Sequence, residues 1–186
     1  TIEEALQGAR DIIAEIISED PILKANLRQL FAKQSFVTSK VVKTKMEVAS
    51  KFKDYFEYSE DIKKIPSHRF LALSRGVNEG FLRMSIAPEE KSALVRIDRA
   101  YIKNNSEAAD QVNMALEDSY KRLIQPGLES ELKNDLKAKA DKEAIDVFAK
   151  NLKQLLLASP LGEKTVLAID PGFRSGCKVA VLSQQG

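Results

Sequence analysis

VLAIDPGFRSGCKVAVL, residues 166–182, is where the hydrophobic period of the chain changes from 3.6 to 2. An aliphatic run rises to a lone carboxylate, Asp170, turns through Pro171-Gly172 and Gly176, and continues into a second aliphatic run. The short loop PGFRSG between extended segments 165–170 and 177–183 predicts an antiparallel hairpin. A hairpin alone is marginal in water, so the rest of its sheet is expected beyond Gly186 or from another molecule. The chain is therefore expected to be a piece of a longer protein. The bare aliphatic edges are expected either to fold back onto the preceding region or to pair with a second copy, giving a hairpin-mediated dimer.

Upstream of the joint Ser159-Pro160-Leu161-Gly162 the pattern is mainly helical. Ile2, Leu6, Ala9, Ile13, Ile16 and Ile17 predict an amphipathic helix over 2–18 with Glu3 and Glu4 in its first turn. Asp20-Pro21 reads as an N-cap and a first helical residue, opening a helix to about residue 33. SFVTSKVV, 35–42, is extended by its β-branched content, and helix is expected again over 46–58 with Val48, Phe52, Tyr55 and Phe56 on one face. Ser67 is expected to cap a helix that ends near Gly76 and Gly80, where the glycines let the chain turn into a short strand, FLRMSI. Helices follow over 88–102 and 106–125, broken by Asn104-Asn105 and capped by Ser106. Pro126-Gly127 is expected to end the second of these before a long helix runs to about 158. The fold expected is mainly α, a multi-helix region with a short extended segment, followed by the opening β-hairpin of an α/β domain. No internal repeat or low-complexity segment interrupts it.

Composition narrows the chemistry. The 186 residues, 44% hydrophobic and 30% charged, suit a soluble globular protein with a real core in one or two domains. No run of about 18 apolar residues reads as a membrane span, and the first residues do not read as a signal sequence, so a cytoplasmic location is expected. Cys177 and His68 are the single cysteine and histidine, which excludes an intrachain disulfide, a multi-cysteine zinc site and a histidine-rich cluster; no cofactor is expected.

The net charge of +2 is unevenly spread. Residues 24–53 carry Lys24, Arg28, Lys33, Lys40, Lys43, Lys45, Lys51 and Lys53 against one acid, Glu47. Such a segment reads either as a solvated lysine face or as a phosphate contact, where each neutralised phosphate releases counterions. On the second reading the nucleic-acid-binding candidates are Lys33, Lys40, Lys43, Lys45, Lys51 and Lys53. His68, Arg69, Arg75 and Glu79 read as structural, Arg75 and Glu79 being spaced to pair along a helix. Asp170 reads as a turn residue, as the first carboxylate of a Mg²⁺-dependent nuclease or resolvase, or as part of an actin- or hexokinase-like phosphate-binding hairpin. It is the sole catalytic or metal candidate, and no acidic residue follows it.

Three segments, ALQGARDIIAEIISED (5–20), FKDYFEYSEDIKKIPSHRFLALSRGVNEGFLRMSI (52–86) and TVLAIDPGFRSGCKVAVLSQQG (165–186), together resemble the bacterial Tex family of transcription accessory proteins. The resemblance implies a helical central region over 1–160 and the start of a truncated YqgF-type, RNase-H-like domain over 161–186. It implies further a role as a non-catalytic scaffold in transcription, binding RNA or DNA mainly through modules outside these residues, with the transcription machinery as a partner. Asp170 falls on the first nuclease carboxylate position of such a domain.

Overall fold

In the computed structural model, which describes every residue except Asn105 and Ser175, the order begins with helices α1 (Ile2–Glu19) and α2 (Pro21–Gln34). A capping box starts α1: Thr1 accepts from the Glu4 N–H, and the Glu4 carboxylate accepts from the Thr1 amine. Asp20 starts α2 as the Asp-Pro pair predicts, accepting from the N–H groups of Ile22 and Leu23. Tyr101 also donates to Asp20 at 2.7 Å. That bond, and then the cap, hold the Asp20 carboxyl below its ordinary range, while burial and the same bond push Tyr101 up to about 12.

Next come β1 (Phe36–Val41), 3₁₀ turns Lys43–Lys45 and Ser50–Tyr55, β2 (Glu57–Asp61), α3 (Ser67–Asn78), β3 (Leu82–Ala87) and α4 (Glu90–Tyr101). The helix expected over 46–58 does not form. Its last residues, Glu57 and Tyr58, instead open β2, which pairs antiparallel with β1 from Lys40↔Glu57 to Phe36↔Asp61, and Phe52 leaves helical geometry at φ −111°. A strand edge left open by β1 outweighs the local helical pattern. β3 takes the other edge of β1, from Phe36↔Ala87 to Val41↔Leu82, giving a sheet in the order β2-β1-β3.

Ser67 is not the cap of α3. Pro66 holds that position and its carbonyl accepts from Arg69 and Phe70, while the Ser67 hydroxyl donates to Glu143. At the far end Phe81 N–H bonds the Gly76 carbonyl and Gly80 N–H the Val77 carbonyl, both at 2.9 Å. With Gly80 at φ +71° this is a Schellman ending, so Gly80 makes the expected turn. Gly76 does something else. It lies inside α3, where a Cβ would stand 2.5 Å from Leu82 Cδ1 and 3.2 Å from Phe52 Cδ1. Its missing side chain sets how closely α3 approaches β3.

Ser106 caps α5 (Glu107–Asp118) by accepting from Ala109 N–H; the expected break at Asn105 lies outside the described residues. Pro126-Gly127 does not end the helix. A π turn, Ser119–Ile124, joins α5 to α6 (Gln125–Leu156) with the backbone helical throughout. Gln125 N–H bonds Tyr120, so the carbonyl ladder is widened where the ring of Pro126 would otherwise meet it. On α1 the buried residues are Arg10, Ala14 and Ile17, whereas Ile2 and Ile16, expected on the apolar face, are exposed. Arg10 earns its interior position through bonds to Gln7 at 2.8 Å and to Gln111 of α5 at 2.7 Å.

The chain divides into two compact units, Thr1–Ile145 and Asp146–Gly186. In the first, one core gathers Leu27, Phe31, Ile97, Leu116 and Tyr120 between helices. A second packs Val37, Leu82 and Ile86 of the sheet against Phe70 and Leu73 of α3. Leu132 of α6 touches both. Glu129 accepts from the N–H of Ile86 at 2.9 Å, so α6 occupies a backbone group on the free edge of β3. The second unit holds the end of α6 and the expected hairpin, β4 (Val166–Pro171) and β5 (Cys177–Leu182), paired from Val166↔Leu182 to Pro171↔Cys177. Ser175 of its loop lies outside the described residues. Within that unit no second layer covers the hairpin, and Leu167, Ile169, Val179 and Val181 are exposed.

Two substitutions test this packing. Gly76→Ala is expected to lower unfolding stability by about 1–3 kcal/mol, because a methyl group must displace buried Leu82; urea denaturation measures it. Glu129→Ala leaves the Ile86 N–H without its acceptor and is expected to cost about 1–3 kcal/mol, most of which Glu129→Gln restores by keeping a carbonyl oxygen there.

Candidate functional site

Alternation along β1 and β3 divides the sheet into an inner and an outer face. Val37, Leu82 and Ile86 turn inward and are buried. Outward, the register sets three rows: Asp61–Phe36–Ala87, Ser59–Thr38–Ser85 and Glu57–Lys40–Arg83. On this face Ala87 packs against the helical core, while Phe36, Lys40 and Arg83 are exposed.

A groove of about 600 Å³ opens on it, lined by residues 38–44 and 83–85. Its cations are Lys40, Lys43 and Arg83, its hydroxyls those of Thr38, Thr44 and Ser85, the Ser39 hydroxyl being turned inward to the Tyr55 carbonyl, and no carboxylate is among the lining residues. Among the described residues none of these three cations joins an ion pair within 4.0 Å. Cations outside any ion pair, beside hydroxyl groups on a concave surface, suit phosphate oxygens. Arg83 was not among the sequence candidates. The signal was its alternation with Leu82, Met84 and Ile86, but only the register of β3 on β1 shows that it stands beside Lys40.

The other candidate lysines are placed differently. Lys51 pairs with Glu79 and stands 5.1 Å from the Phe52 ring and 5.6 Å from that of Phe81. Lys45 also lies over Phe81, at 5.6 Å. These two cations serve an aromatic cluster at the end of α3. Lys53 lines a neighbouring hollow of about 500 Å³ with Lys40 and Lys43, where Asp54 and Glu57 offset the charge. Lys33 sits in the last turn of α2, where a cation faces the helix C-terminus. Arg75 pairs with Glu79 at 2.7 Å, as the spacing predicts. Arg69 reaches Glu60 of β2 at 2.9 Å. Tyr58 and then Arg69 hold the Glu60 carboxyl below its ordinary range. His68 is exposed and borders a hollow with Lys51, Tyr55 and Arg75.

Asp170 lies on β4 opposite Lys178 of β5, both exposed. Among the described residues no three His, Cys, Asp or Glu side chains form a group that could hold a metal ion. No described helix is long and apolar enough to cross a membrane.

A helical region enclosing a three-stranded antiparallel sheet, whose outer face carries unpaired cations, is therefore the class of structure at hand. Residues 1–148 match the Tex central region-like family. The chain is 41% identical to YdcI of Bacillus subtilis, over 100% of its own length and 26% of that protein's. To the protein tex of Bordetella pertussis it is 39% identical, over 98% of its length and 25% of the relative's. To the human S1 RNA-binding domain-containing protein 1 it is 32% identical, over 98% and 20% respectively. The chain belongs to the Tex family, and it spans about a quarter of the length of the bacterial relatives it matches.

The Glu79 cluster gives a pH test. Lys51 first, then Arg75, hold the Glu79 carboxyl below its ordinary value of 4.5. A depressed folded value contributes stability that is present above the unfolded value and is lost as pH falls through the folded one. Lys51→Met is expected to move the Glu79 titration upward, toward but still below 4.5 because Arg75 remains, and to shrink the stability lost on acidification; carboxyl NMR and pH-dependent unfolding read both.

Proposed function

We propose that this chain is a nucleic-acid-binding, non-catalytic scaffold segment of a Tex protein acting in transcription, and that the groove on β1 and β3 is its phosphate-contacting surface. The observation that carries the reading is the set Lys40 of β1, Lys43 of the turn that follows it and Arg83 of β3, which lines a groove without a carboxylate and is left out of every ion pair among the described residues. The names of a human relative, S1 RNA-binding domain-containing protein 1, and of a Neisseria gonorrhoeae relative, transcriptional accessory protein Tex, support it. On this reading residues 1–160 are the helical central region, 161–186 open an RNase-H-like domain, and the protein works in the cytoplasm beside the transcription machinery. Asp170 then has a structural place in its hairpin rather than a hydrolytic one. Cleavage of nucleic acid by the parent protein, abolished by Asp170→Asn, would overturn that assignment.

Charge reversal tests the groove. Lys40→Glu with Lys43→Glu is expected to weaken binding of the chain to RNA or DNA at least about tenfold and to flatten the dependence of log K on log salt by roughly 0.7–0.9 per lost phosphate contact. The same reversal at Lys33 and Lys51, which lie outside the groove, is expected to do less. Unchanged affinity and slope in the Lys40/Lys43 variant, measured by fluorescence anisotropy, would overturn the proposal.

A further inference from the structure

We infer that Met114 is an oxidation site whose sulfoxide is held by the buried guanidinium of Arg10, so that peroxide tightens the contact between α1 and α5 instead of loosening it. The site lies in the helical core of the first unit and shares no residue with the groove.

Arg10 is only 9% exposed, and an arginine side chain brings five N–H donors that all need acceptors once buried. Four of them meet oxygen. Nε donates to Gln7 at 3.2 Å, Nη2 to Gln7 at 2.8 Å and to Glu3 at 2.5 Å, and Nη1 to Gln111 at 2.7 Å. Among the described residues the other partner of Nη1 is the Met114 sulfur, at 4.0 Å. Gln111 and Met114 stand three residues apart on α5, which puts them on one face of that helix toward Arg10. A thioether sulfur is a weak acceptor, so one donor of a buried cation is left poorly satisfied.

Met114 is itself open to reagents, being 54% exposed. With hydrogen peroxide, a sulfur lone pair attacks one peroxide oxygen and the S–O bond forms as the O–O bond breaks. The departing hydroxide takes the proton of the transferred oxygen and leaves as water, so sulfur loses two electrons and the peroxide gains them. The product is a polar sulfoxide in place of an apolar thioether, which ordinarily disrupts packing. Here the new oxygen lies one bond beyond the sulfur and carries partial negative charge. Turned toward Nη1, it replaces the 4.0 Å sulfur contact with a charge-assisted hydrogen bond of about 2.9 Å. The polar group thus meets the one donor of Arg10 that lacked an oxygen, and the added bond joins α1 to α5.

The chain has three methionines, so Met46→Leu with Met84→Leu leaves Met114 as the only one. After hydrogen peroxide treatment of that variant of the 186-residue chain, peptide mass spectrometry is expected to find one added oxygen at Met114. Its urea unfolding midpoint is expected to rise by about 0.5 M. Two unoxidised variants test the same contact. Met114→Gln places an amide oxygen where the sulfoxide oxygen would stand, whereas Met114→Leu offers no acceptor, and the two residues have nearly equal helix propensity. Met114→Gln is expected to unfold at higher urea than Met114→Leu and to slow solvent exchange of the Arg10 guanidinium protons seen by NMR. With Arg10→Lys the gain on oxidation is expected to vanish; if that variant does not fold, the Gln and Leu pair decides. A Met114 that resists peroxide, a midpoint that falls when it is oxidised, or a Met114→Gln chain no more stable than Met114→Leu would overturn the inference.

Discussion

The absent side chain at Gly76 is the constraint on which the sheet depends. A helix covers a sheet only as closely as the residues between them permit, and here a Cβ would stand 2.5 Å from Leu82 and 3.2 Å from Phe52. The close approach seats β3 and the 3₁₀ turn at Ser50–Tyr55 on the same helix. Four residues later Gly80 reverses the chain, and Phe81 accepts from Val42 N–H at 2.9 Å, tying the start of β3 to the end of β1. One helix end thus fixes the register of the strand that carries Arg83. Phe36, Lys40 and Arg83 stay exposed on the outer face because α3 packs on the inner one.

That geometry sorts the charges. The basic stretch 24–53 is nearly uniform as text, yet its lysines meet four different fates in space. Lys45 and Lys51 lie over aromatic rings, Lys51 pairing also with Glu79, Lys53 shares a hollow with carboxylates, and Lys33 faces a helix end. Lys40 and Lys43 border that hollow too but also line the groove without carboxylates, where β3 adds Arg83 to them. A cation already paired with a carboxylate has less to gain from a phosphate than one held among hydroxyls, so position rather than number defines the basic surface.

α6 links the two cores of the first unit. Leu132 packs against both, and Glu129 takes up the Ile86 N–H on the edge of β3. An open strand edge invites pairing with other chains, and a carboxylate from a helix closes this one locally. The hairpin of the second unit has no such cover within that unit, and its aliphatic side chains stay exposed. The π turn before Pro126 lets one helical path lead from the helical core to the sheet core without a break.

Local chemistry wrote a good part of this structure into the sequence. The Asp20-Pro21 start, the Ser106 cap, the turn at Gly80, the strands 36–41 and 82–87 and the terminal hairpin all follow from side chains acting on their own backbone within a few residues. So does the family, through motifs that keep their order along the chain. What depended on distant partners was not legible. β2 exists because β1 offers an edge, Arg10 is buried because Gln111 meets it from α5, and the helix passes Pro126 because a π turn opens ahead of it. The candidate site divides in the same way: the sequence shows abundant positive charge between residues 24 and 53, but only the register of three strands sets Arg83 and Glu57 on either side of Lys40, because strand pairing joins residues that no local interaction relates.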